Sequence, residues 1–555
     1  MSNTDLETKT ITGTEPGTDL DTAPNDAPSL NFYNPLTEEL QRRLLNFASV
    51  DTTAADTTVA NTTKAAAIHA PFTGELLAKI PVGTADDVSR AFATARAAQA
   101  DWANTNADDR GEVFRRFHDL LLTHQKQMLD IIQAETGKNR ASAFEELMHT
   151  AITARYYGNQ GAQMLKPRKT AGALPVVSQT QVHHHPKGVV GVIAPWNYPL
   201  TLSVSDAVAA LMAGNAVVLK PDSSTPFTAL YAVELLHRAG LPREVFQVVP
   251  GSGSVVGQAI VGQADYLMFT GSSATGKKLA AQCGERLIGF SAELGGKNPM
   301  VVADDADLDA AVEGARIACF TNSGHLCVSI ERVYVHERIY DEFVAAFVDR
   351  TRAMSIGAGY DWDVEMGCLQ SQGQFDTVVE MVQEAVDAGA TVLAGGRARP
   401  DLGPLFYEPT ILADVPAGVR LLTEEVFGPV VVIHKVSSVY EGIAEANNSR
   451  YGLNASLWTA PRRAKELAPL IEAGSVNVND GFAATFASVT APMGGFKESG
   501  VGRRQAAEGL LKYTDSQTIT VQRITPLSVP ALPRETYAKV FTTALKLGKK
   551  FGILP

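Results

Sequence analysis

The sequence predicts an α/β fold built around a parallel sheet, and three observations support this prediction. From residue 188, short apolar runs alternate with segments of helical periodicity. Glycine and proline bound these runs, as they commonly bound strands. A second section of strand and helix patterns extends from about residue 296 to residue 495 and predicts another α/β domain. In such folds, ligands bind at the carboxyl ends of the parallel strands.

The N-terminal part is predicted to be helical after an acidic extension. We expect residues 1–65 to be a disordered acidic extension that contains one short helix in "PLTEELQRRLLNFASV". Thr84 and Asp87 have the spacing of a capping box, so a helix should begin there. Another long helix, in "EVFRRFHDLLLTHQKQMLDIIQAETGK", should end near Gly137.

Four apolar runs in the next section are the strand candidates: "GVVGVIAP", "NAVVLKP", "VFQVVPG" and "DYLMFTGS". Segments of helical pattern, such as "SVSDAVAALMAG" and "STPFTALYAVELLHRAG", lie between them. This alternation is typical of βαβ units, whose strands run parallel.

Composition limits the classes of protein that this chain can represent. A chain of 555 residues is too long for one compact core, so roughly two to four domains are expected. The net charge of −12 argues against nucleic-acid binding, which needs basic surface. Four cysteines cannot make a disulfide framework, and the sequence has neither a signal-peptide pattern nor an apolar run that could span a membrane. We therefore expect a cytoplasmic protein.

Residues at predicted strand ends could hold an anion. Gly271, Ser272 and Gly276 stand where a strand turns into a helix, and free amides at a helix start favour a phosphate. Lys220 ends another strand and could contact a ribose or a phosphate. Each has a simpler interpretation, because glycines are common at such turns and an end-of-strand lysine is usually solvated.

Three other residues could carry acyl chemistry. Asn197, held between two prolines in "PWNYP", is a suitable donor to an oxyanion, and Glu293 in "SAELGGKNP" could act as a general base. Cys327 in "TNSGHLCVSIERVYV" could be a nucleophile. Taken singly, a turn-forming asparagine, a surface glutamate and a buried core cysteine are the commoner alternatives.

The joint order of these motifs changes their interpretation. "PWNYP", "KPDSSTP", "FTGS", "ELGGKNP", a cysteine 34 residues beyond Glu293, and "EEVFGPVVVI" follow one another in an order that resembles the aldehyde dehydrogenase superfamily, from about residue 66 to residue 523. The resemblance implies that Cys327 is the nucleophile and Glu293 the general base. It also implies that Asn197 and the Cys327 main-chain N–H form the oxyanion hole.

The same resemblance implies a nicotinamide cofactor. Ser223 stands where strictly NAD-dependent relatives often have a glutamate that would repel a 2′-phosphate, so NADP is favoured and NAD is expected to be tolerated. The implied cofactor-binding residues are Trp196, Lys220, Ser223, Gly271, Ser272, Gly276, Leu294, Glu425 and Phe427.

Within the family, the residues of several motifs resemble those of bacterial succinate-semialdehyde dehydrogenases. That subgroup implies cations near the distal carboxylate of the substrate, yet Ser205 and Thr321 stand where arginines would be expected. Tyr198, Thr321, Phe486 and Ser488 are the predicted substrate-pocket residues. A dehydrogenase for other aliphatic or aromatic aldehydes remains an alternative. A CoA-acylating enzyme and a non-catalytic protein are less favoured, since Glu293 and the other catalytic candidates are present.

Two histidine features have competing interpretations. His325 stands two residues before Cys327, where the family commonly has glutamine, and it either packs beside the thiol or tunes its pKa; packing is favoured. His183, His184 and His185 are consecutive, so on a strand they cannot converge on one ion, and no metal is expected.

The resemblance also implies a division into domains and at least a homodimer. The C-terminal segment has an apolar face opposite lysines and is expected to dock on its own chain or another subunit, with contact to a membrane surface less favoured. The implied parts are a Rossmann-like cofactor-binding domain (66–167 and 187–295), an α/β catalytic domain (296–495), a small β oligomerisation element (168–186 and 496–523) and a C-terminal amphipathic extension (524–555).

Overall fold

A computed structural model describes residues 33–51, 65–171, 178–523, 532–550 and 552. The disorder predicted for most of residues 1–65 falls outside these residues. The short helix predicted within that extension occurs as α1 (Glu38–Leu45). Its Leu40 and Leu44 are buried in the core of the first sheet, so this part of the predicted extension is folded. Within the described residues, no helix is long and apolar enough to cross a membrane.

Seventeen α-helices occur in the described residues. In chain order they are α1 (Glu38–Leu45), α2 (Ala85–Asn104), α3 (Ala107–Thr123), α4 (Gln125–Thr136), α5 (Arg140–Leu165), α6 (Pro199–Met212), α7 (Pro226–Arg238), α8 (Gln258–Gln263), α9 (Ser273–Glu285), α10 (Leu308–Phe320), α11 (Tyr340–Arg352), α12 (Gln372–Asp387), α13 (Val439–Asn447), α14 (Pro461–Leu467), α15 (Ala483–Ala487), α16 (Ala506–Leu511) and α17 (Arg534–Lys550).

Twenty strands accompany them in the same residues. They are β1 (Ala65–His69), β2 (Leu76–Pro81), β3 (Arg168–Thr170), β4 (Ser178–Pro186), β5 (Val189–Ile193), β6 (Ala216–Lys220), β7 (Phe246–Val248), β8 (Tyr266–Thr270), β9 (Gly289–Glu293), β10 (Asn298–Val302), β11 (Ile330–His336), β12 (Thr391–Ala394), β13 (Thr410–Ala413), β14 (Val430–Val436), β15 (Tyr451–Gly452), β16 (Asn454–Trp458), β17 (Ser475–Val478), β18 (Phe496–Lys497), β19 (Gly500–Val501) and β20 (Thr514–Gln522).

The first large sheet has the strand order β19-β9-β8-β5-β6-β7. Strands β5 to β9 run parallel, as the alternating pattern predicts, and only β19 is antiparallel. The local signals before it are confirmed in part, because the stretch predicted as one long helix is divided at His124 into α3 and α4. Thr84 and Asp87 form a reciprocal capping box at the start of α2, and α4 ends at Gly137 in a left-handed conformation (φ 74°).

The second large sheet has the order β12-β13-β14-β11-β10-β16-β17 and is parallel except for the β12–β13 pair. Its buried residues form cores separate from that of the first sheet. The predicted α/β class with two sheet-based units is therefore confirmed. The second sheet carries Cys327 in the loop that precedes β11.

A small three-stranded sheet has the order β20-β4-β3. Strand β20 pairs with β4 along its whole length, and all but one of its residues are exposed. Residues 496–523, predicted as part of this small β element, do not all belong to it. Strand β19, within that range, pairs instead with β9 of the first sheet. Helix α17 has no buried residue.

Candidate active site

A cavity of about 310 Å³ lies at the carboxyl ends of the first sheet. Parallel strands end at the same edge, so the residues that follow β5, β8 and β9 come together there. The cavity is lined by Pro195, Trp196, Asn197, Leu202, Thr270, Gly271, Ser272, Glu293, Leu294, Gly295, Cys327, Gln374, Thr377, Glu425, Val426 and Phe427. We call it the sheet-edge cavity.

A second, narrower cavity meets the first at Cys327, and we call it the inner cavity. Aromatic and aliphatic side chains dominate its wall, and Arg504 is the only cationic residue among those that line it. It is lined by Asn197, Tyr198, Thr201, Leu202, Thr270, Glu293, Leu326, Cys327, Val328, Phe482, Phe486, Met493 and Arg504. Cys327, Glu293 and Asn197, predicted from separate motifs, thus line both cavities.

Cys327 differs from the other cysteines in its exposure. Cys283, Cys319 and Cys368 are buried, whereas Cys327 is partly exposed, and none of the four is in a disulfide. Burial of the other three agrees with the common structural role of a lone cysteine. Cys327 is therefore the thiol that a small molecule in either cavity can reach.

The loop that carries Cys327 is held in a strained conformation. Asn322 and Ser323 have positive φ angles of 53° and 54°, which non-glycine residues rarely adopt. The Asn322 main-chain N–H donates to the Ser142 hydroxyl over 3.1 Å, and the Asn298 amide donates to the Cys327 carbonyl over 2.8 Å. Such strain persists only where neighbouring contacts fix the loop, which suits a positioned nucleophile.

The thiol is protonated in this environment. Burial, together with the nearby carboxyl groups of Glu293 and Glu425, raises the pKa of Cys327 to about 12, and Arg504 opposes this effect. Almost none of it would be thiolate at neutral pH, so attack requires that a base take the proton or that the surroundings change when ligands bind.

Glu293 is suited to act as a base near neutral pH. Burial raises its pKa to about 7, and this effect exceeds the opposing influence of Arg504 and Lys512. Glu293 ends β9 and is 5% exposed. A carboxylate with a pKa close to the working pH is an efficient proton acceptor.

The Asn197 amide is fixed by its neighbours. Its Nδ2 donates to the His325 main-chain carbonyl over 3.0 Å, and the main-chain carbonyl of Asn197 accepts from Lys138 Nζ over 2.6 Å. Lys138 also lies 4.0 Å from the centre of the Tyr198 ring. An amide nitrogen has two hydrogens, so Nδ2 keeps one donor for an oxygen in the cavity.

His325 packs beside the thiol loop and does not ionise. Burial lowers its pKa to about 3, so the ring is neutral at physiological pH. The ring meets Trp196 edge-on with centroids 4.8 Å apart and lies 5.9 Å from the Phe427 ring. The favoured interpretation, packing, agrees with these contacts, and the main-chain carbonyl of His325 also orients Asn197.

A buried ion pair holds the loop with Glu425 and Phe427. Glu331 of β11 accepts from the main-chain N–H groups of Val426 and Phe427, each over 3.0 Å. Lys297 Nζ lies 2.6 Å from the same carboxylate. Phe427 has a positive φ of 53°, so Glu331 stabilises a conformation that the chain alone disfavours.

Replacing Lys297 with methionine should destabilise the protein by about 3–5 kcal/mol, because the buried Glu331 carboxylate would lose its counter-ion. Urea unfolding followed by far-UV circular dichroism measures this difference. Lys435→Met is the matched control, since Lys435 forms an exposed pair with Asp341 at 3.2 Å and should cost less than about 1 kcal/mol. Equal losses in the two variants would contradict the assigned role of Lys297.

Three predicted cofactor residues do not line the sheet-edge cavity. Lys220 ends β6 and its buried Nζ donates to the Pro221 carbonyl over 2.9 Å, while the exposed Ser223 donates to the Gly251 carbonyl over 3.1 Å. Gly276 lies in the first turn of α9, where a Cβ atom would come within 2.5 Å of Leu294. Gly276 therefore allows the helix to pack closely on the residue after β9.

Two of the four predicted substrate-pocket residues line the inner cavity. Tyr198 and Phe486 do so, and the Phe486 ring stacks on His149 with centroids 4.1 Å apart. Thr321 and Ser488 line neither cavity, and the Ser488 hydroxyl donates to the carbonyl of Ala484 in its own helix. Proximity in sequence to Cys327 and Phe486 therefore does not by itself place a residue on a cavity wall.

Several site residues were not singled out from the sequence. Thr270, which ends β8, could have been found because it directly precedes Gly271. Arg504 and Met493 carried no such signal, since they reach the inner cavity only through the pairing of β19 with β9 and the hydrogen bonds between Met493 and Arg504.

No cluster of three or more potential metal ligands occurs in the part of the chain that the structure describes. The three consecutive histidines lie on β4, where His184 contacts Thr514 and His185 contacts Gln517 on the paired strand.

Comparison with known proteins identifies the class that this fold and site define. Residues 58–519 match the model of the aldehyde dehydrogenase family. A protein from Mycolicibacterium smegmatis named "putative succinate-semialdehyde dehydrogenase [NADP(+)]" is 54% identical over 460 residues, covering 83% of this chain and 89% of its own. A protein from Mycobacterium tuberculosis with the same name and the number 2 is 51% identical over 515 residues, covering 92% and 98%.

Solved structures share the fold. An E. coli structure described as an NADP-dependent enzyme superposes with a TM-score of 0.81 at 33% identity, over 87% of this chain and 99% of that one. An NAD⁺ complex of aldehyde dehydrogenase from Bacillus cereus superposes with a TM-score of 0.78 at 34% identity, over 83% and 93%. The chain therefore belongs to the aldehyde dehydrogenase family, and the predicted family membership is confirmed.

Proposed function

We propose that this aldehyde dehydrogenase oxidises succinate semialdehyde to succinate with NADP, through a thioester on Cys327. The observation that carries the proposal is the junction of the two cavities. There a partly exposed thiol, an amide donor and a carboxylate with a pKa of about 7 line the same space. An acyl-transfer cycle needs these three groups: a nucleophile, an oxyanion donor and a base.

The chain's own residues account for the bond changes. The Cys327 sulfur bonds to the aldehyde carbon as its proton passes to a base, Glu293 or water. The carbonyl oxygen becomes an oxyanion that accepts from Asn197 Nδ2 and the Cys327 main-chain N–H. After oxidation to the thioester, Glu293 takes a proton from water, which attacks the acyl carbon. The carbon–sulfur bond then breaks, and the thiolate and carboxylic acid are released.

The sheet-edge cavity fits a nicotinamide dinucleotide. Trp196 and Phe427 form an edge-to-face aromatic wall with centroids 5.5 Å apart. Ser272 caps the N-terminus of α9, an end that favours phosphate because of its free N–H groups. When bound, NADP supplies the two-electron oxidation of the Cys327 adduct. We propose the same holding residues that the family resemblance implies, with Glu425 and Phe427 on the nicotinamide side.

Cofactor preference depends in this proposal on Ser223, an exposed residue three positions after the end of β6. Ser223→Glu should lower the ratio of kcat/KM for NADP to that for NAD by about tenfold or more, because a carboxylate repels a 2′-phosphate and can accept from a 2′-hydroxyl. Steady-state kinetics with both cofactors measures the ratio. Ser223→Ala, which adds no charge, should keep NADP preferred; an unchanged ratio in Ser223→Glu would exclude Ser223 as the discriminating residue.

The choice of succinate semialdehyde is supported by the names of the mycobacterial relatives. A second candidate, an uncharged aliphatic or aromatic aldehyde, is favoured by the mostly apolar wall of the inner cavity. Absorbance of reduced cofactor over a panel of aldehydes distinguishes them. We expect the largest kcat/KM for succinate semialdehyde, and a larger value for an aromatic aldehyde would overturn that choice.

We also propose a cytoplasmic homo-oligomer. Free cysteines at all four positions suit a reducing compartment. The exposed β20 offers an edge for a second copy, which agrees with the oligomerisation role expected for the small sheet. A monomeric mass by light scattering at assay concentration would contradict this part of the proposal.

A further inference from the structure

A buried cluster of three charged side chains lies beside the inner cavity. The Arg504 guanidinium is 2.7 Å from the Asp206 carboxylate of α6, and Lys512 Nζ is 3.4 Å from the other oxygen of that carboxylate. Their side chains are only 6%, 4% and 10% exposed, respectively. The acyl-transfer cycle described above does not use any of the three.

The cluster has an excess of positive charge. Two basic side chains face one carboxylate; burial lowers the pKa of Lys512, and the carboxylates of Asp206 and Glu293 oppose that effect. A buried surplus of positive charge is costly unless another group compensates it. Glu293 is placed to do so, because it lines the inner cavity together with Arg504. Strand pairing explains this proximity: Gly500 of β19 pairs with Glu293 of β9, and Arg504 follows four residues later.

The other titratable groups around the cluster do not supply the missing charge. Burial lowers the pKa of His149 to about 3 and raises those of Tyr157 and Tyr513, so all three are neutral near pH 7. Arg503 adds positive charge toward Glu293. Cys327 is protonated, and Glu425, whose pKa burial raises to about 8, contacts the Gly296 N–H on the sheet-edge side.

We propose that Arg504, anchored by Asp206 and backed by Lys512, is a positioning residue that keeps Glu293 in the carboxylate form needed to activate water. The inference rests on the proposed role of Glu293 as the base. Burial alone would favour the protonated form of Glu293. The positive charge of Arg504 and Lys512 opposes this effect of burial. Asp206 has two effects, since it fixes the guanidinium and offsets part of its charge.

The test is the pH profile of kcat in the full-length enzyme with NADP and propanal, an uncharged aldehyde. Arg504→Met should move the acidic limb of the profile to higher pH by roughly one unit, because the loss of a nearby cation favours the neutral carboxyl. Activity should recover at high pH. Arg504→Lys keeps the charge and should leave the limb in place, while Lys512→Met should shift it in the same direction as Arg504→Met.

Three results would overturn the inference. One is a uniform loss of kcat at every pH in Arg504→Met with the limb unmoved. If that variant does not fold, an unmoved limb in Lys512→Met is decisive. The third is a raised KM for succinate semialdehyde with an unmoved limb for propanal, which would make Arg504 a carboxylate-binding residue. The Glu293→Gln variant tests the proposed function separately from this inference. Full turnover in that variant would show that Glu293 is not the base, whatever the effect of Arg504.

Discussion

Replacing Cys327 with alanine should abolish aldehyde oxidation, lowering kcat/KM by about three orders of magnitude or more. Alanine removes the sulfur that forms the covalent adduct, and the other three cysteines are buried and line neither cavity. Reduced-cofactor absorbance measures the loss. Thermal unfolding should change little, because the side chain is partly exposed and only one atom is removed.

Cys319→Ala is the matched control for this prediction. Cys319 lies on α10 in the core of the second sheet and lines neither cavity, so its replacement should keep activity. Alkylation of the native enzyme followed by peptide mass mapping should modify Cys327 first and cause inactivation. Normal turnover in Cys327→Ala, or inactivation without modification of Cys327, would contradict the covalent mechanism.

The site residues that can be predicted from the sequence are those that belong to local patterns, such as the ends of predicted strands. Gly271, Ser272 and Glu293 follow apolar runs directly, and a parallel sheet brings such strand ends to one edge. Cys327 was identified only through the order of motifs that the family shares. Its own fifteen-residue segment, taken alone, favours a core cysteine.

The parts that the sequence does not reveal depend on contacts between distant segments. Arg504 meets Asp206 across 298 positions of sequence, and no periodicity or spacing signals that pairing. Lys297 is a similar case. It lies within the motif "ELGGKNP", but only the folded chain brings it into contact with Glu331. Burial decides the ionisation of Glu293 and His325, and burial at these positions is a property of the folded chain.

Helix α17 illustrates a different limit. Its apolar face is evident from the sequence, and docking on its own chain was one expected outcome. The structure leaves Val540 and Leu545 of that face 54% and 42% exposed. Periodicity identifies an amphipathic helix but carries no information about what covers its apolar side.

Replacing Glu293 with glutamine should separate the two halves of the reaction. Without a carboxylate to take the proton from water, hydrolysis of the thioester should slow by about 10²–10⁴-fold. Formation of the thioester should be less affected if another group can accept the thiol proton. A rapid burst of reduced cofactor equal to the enzyme concentration, followed by a slow steady state, is therefore expected in stopped-flow absorbance.

The same substitution should also change how turnover depends on pH. In the wild-type enzyme Glu293 has a pKa of about 7, so the base form is lost, and turnover falls, as the pH drops through that value. Glutamine does not titrate, and the acidic limb due to this group should disappear from the slow phase. Glu498→Gln, on a partly exposed residue paired with Lys277, is the control and should keep both the limb and the rate.

Mass spectrometry of the quenched Glu293→Gln enzyme completes the argument. An acyl group that accumulates on the Cys327 peptide would show that oxidation precedes the blocked step and that Glu293 acts on hydrolysis. Absence of both burst and adduct would instead place Glu293 before the thioester, as the base that takes the proton from Cys327. The thiol pKa of about 12 in this environment makes that second role a concrete alternative, and the two outcomes cannot occur together.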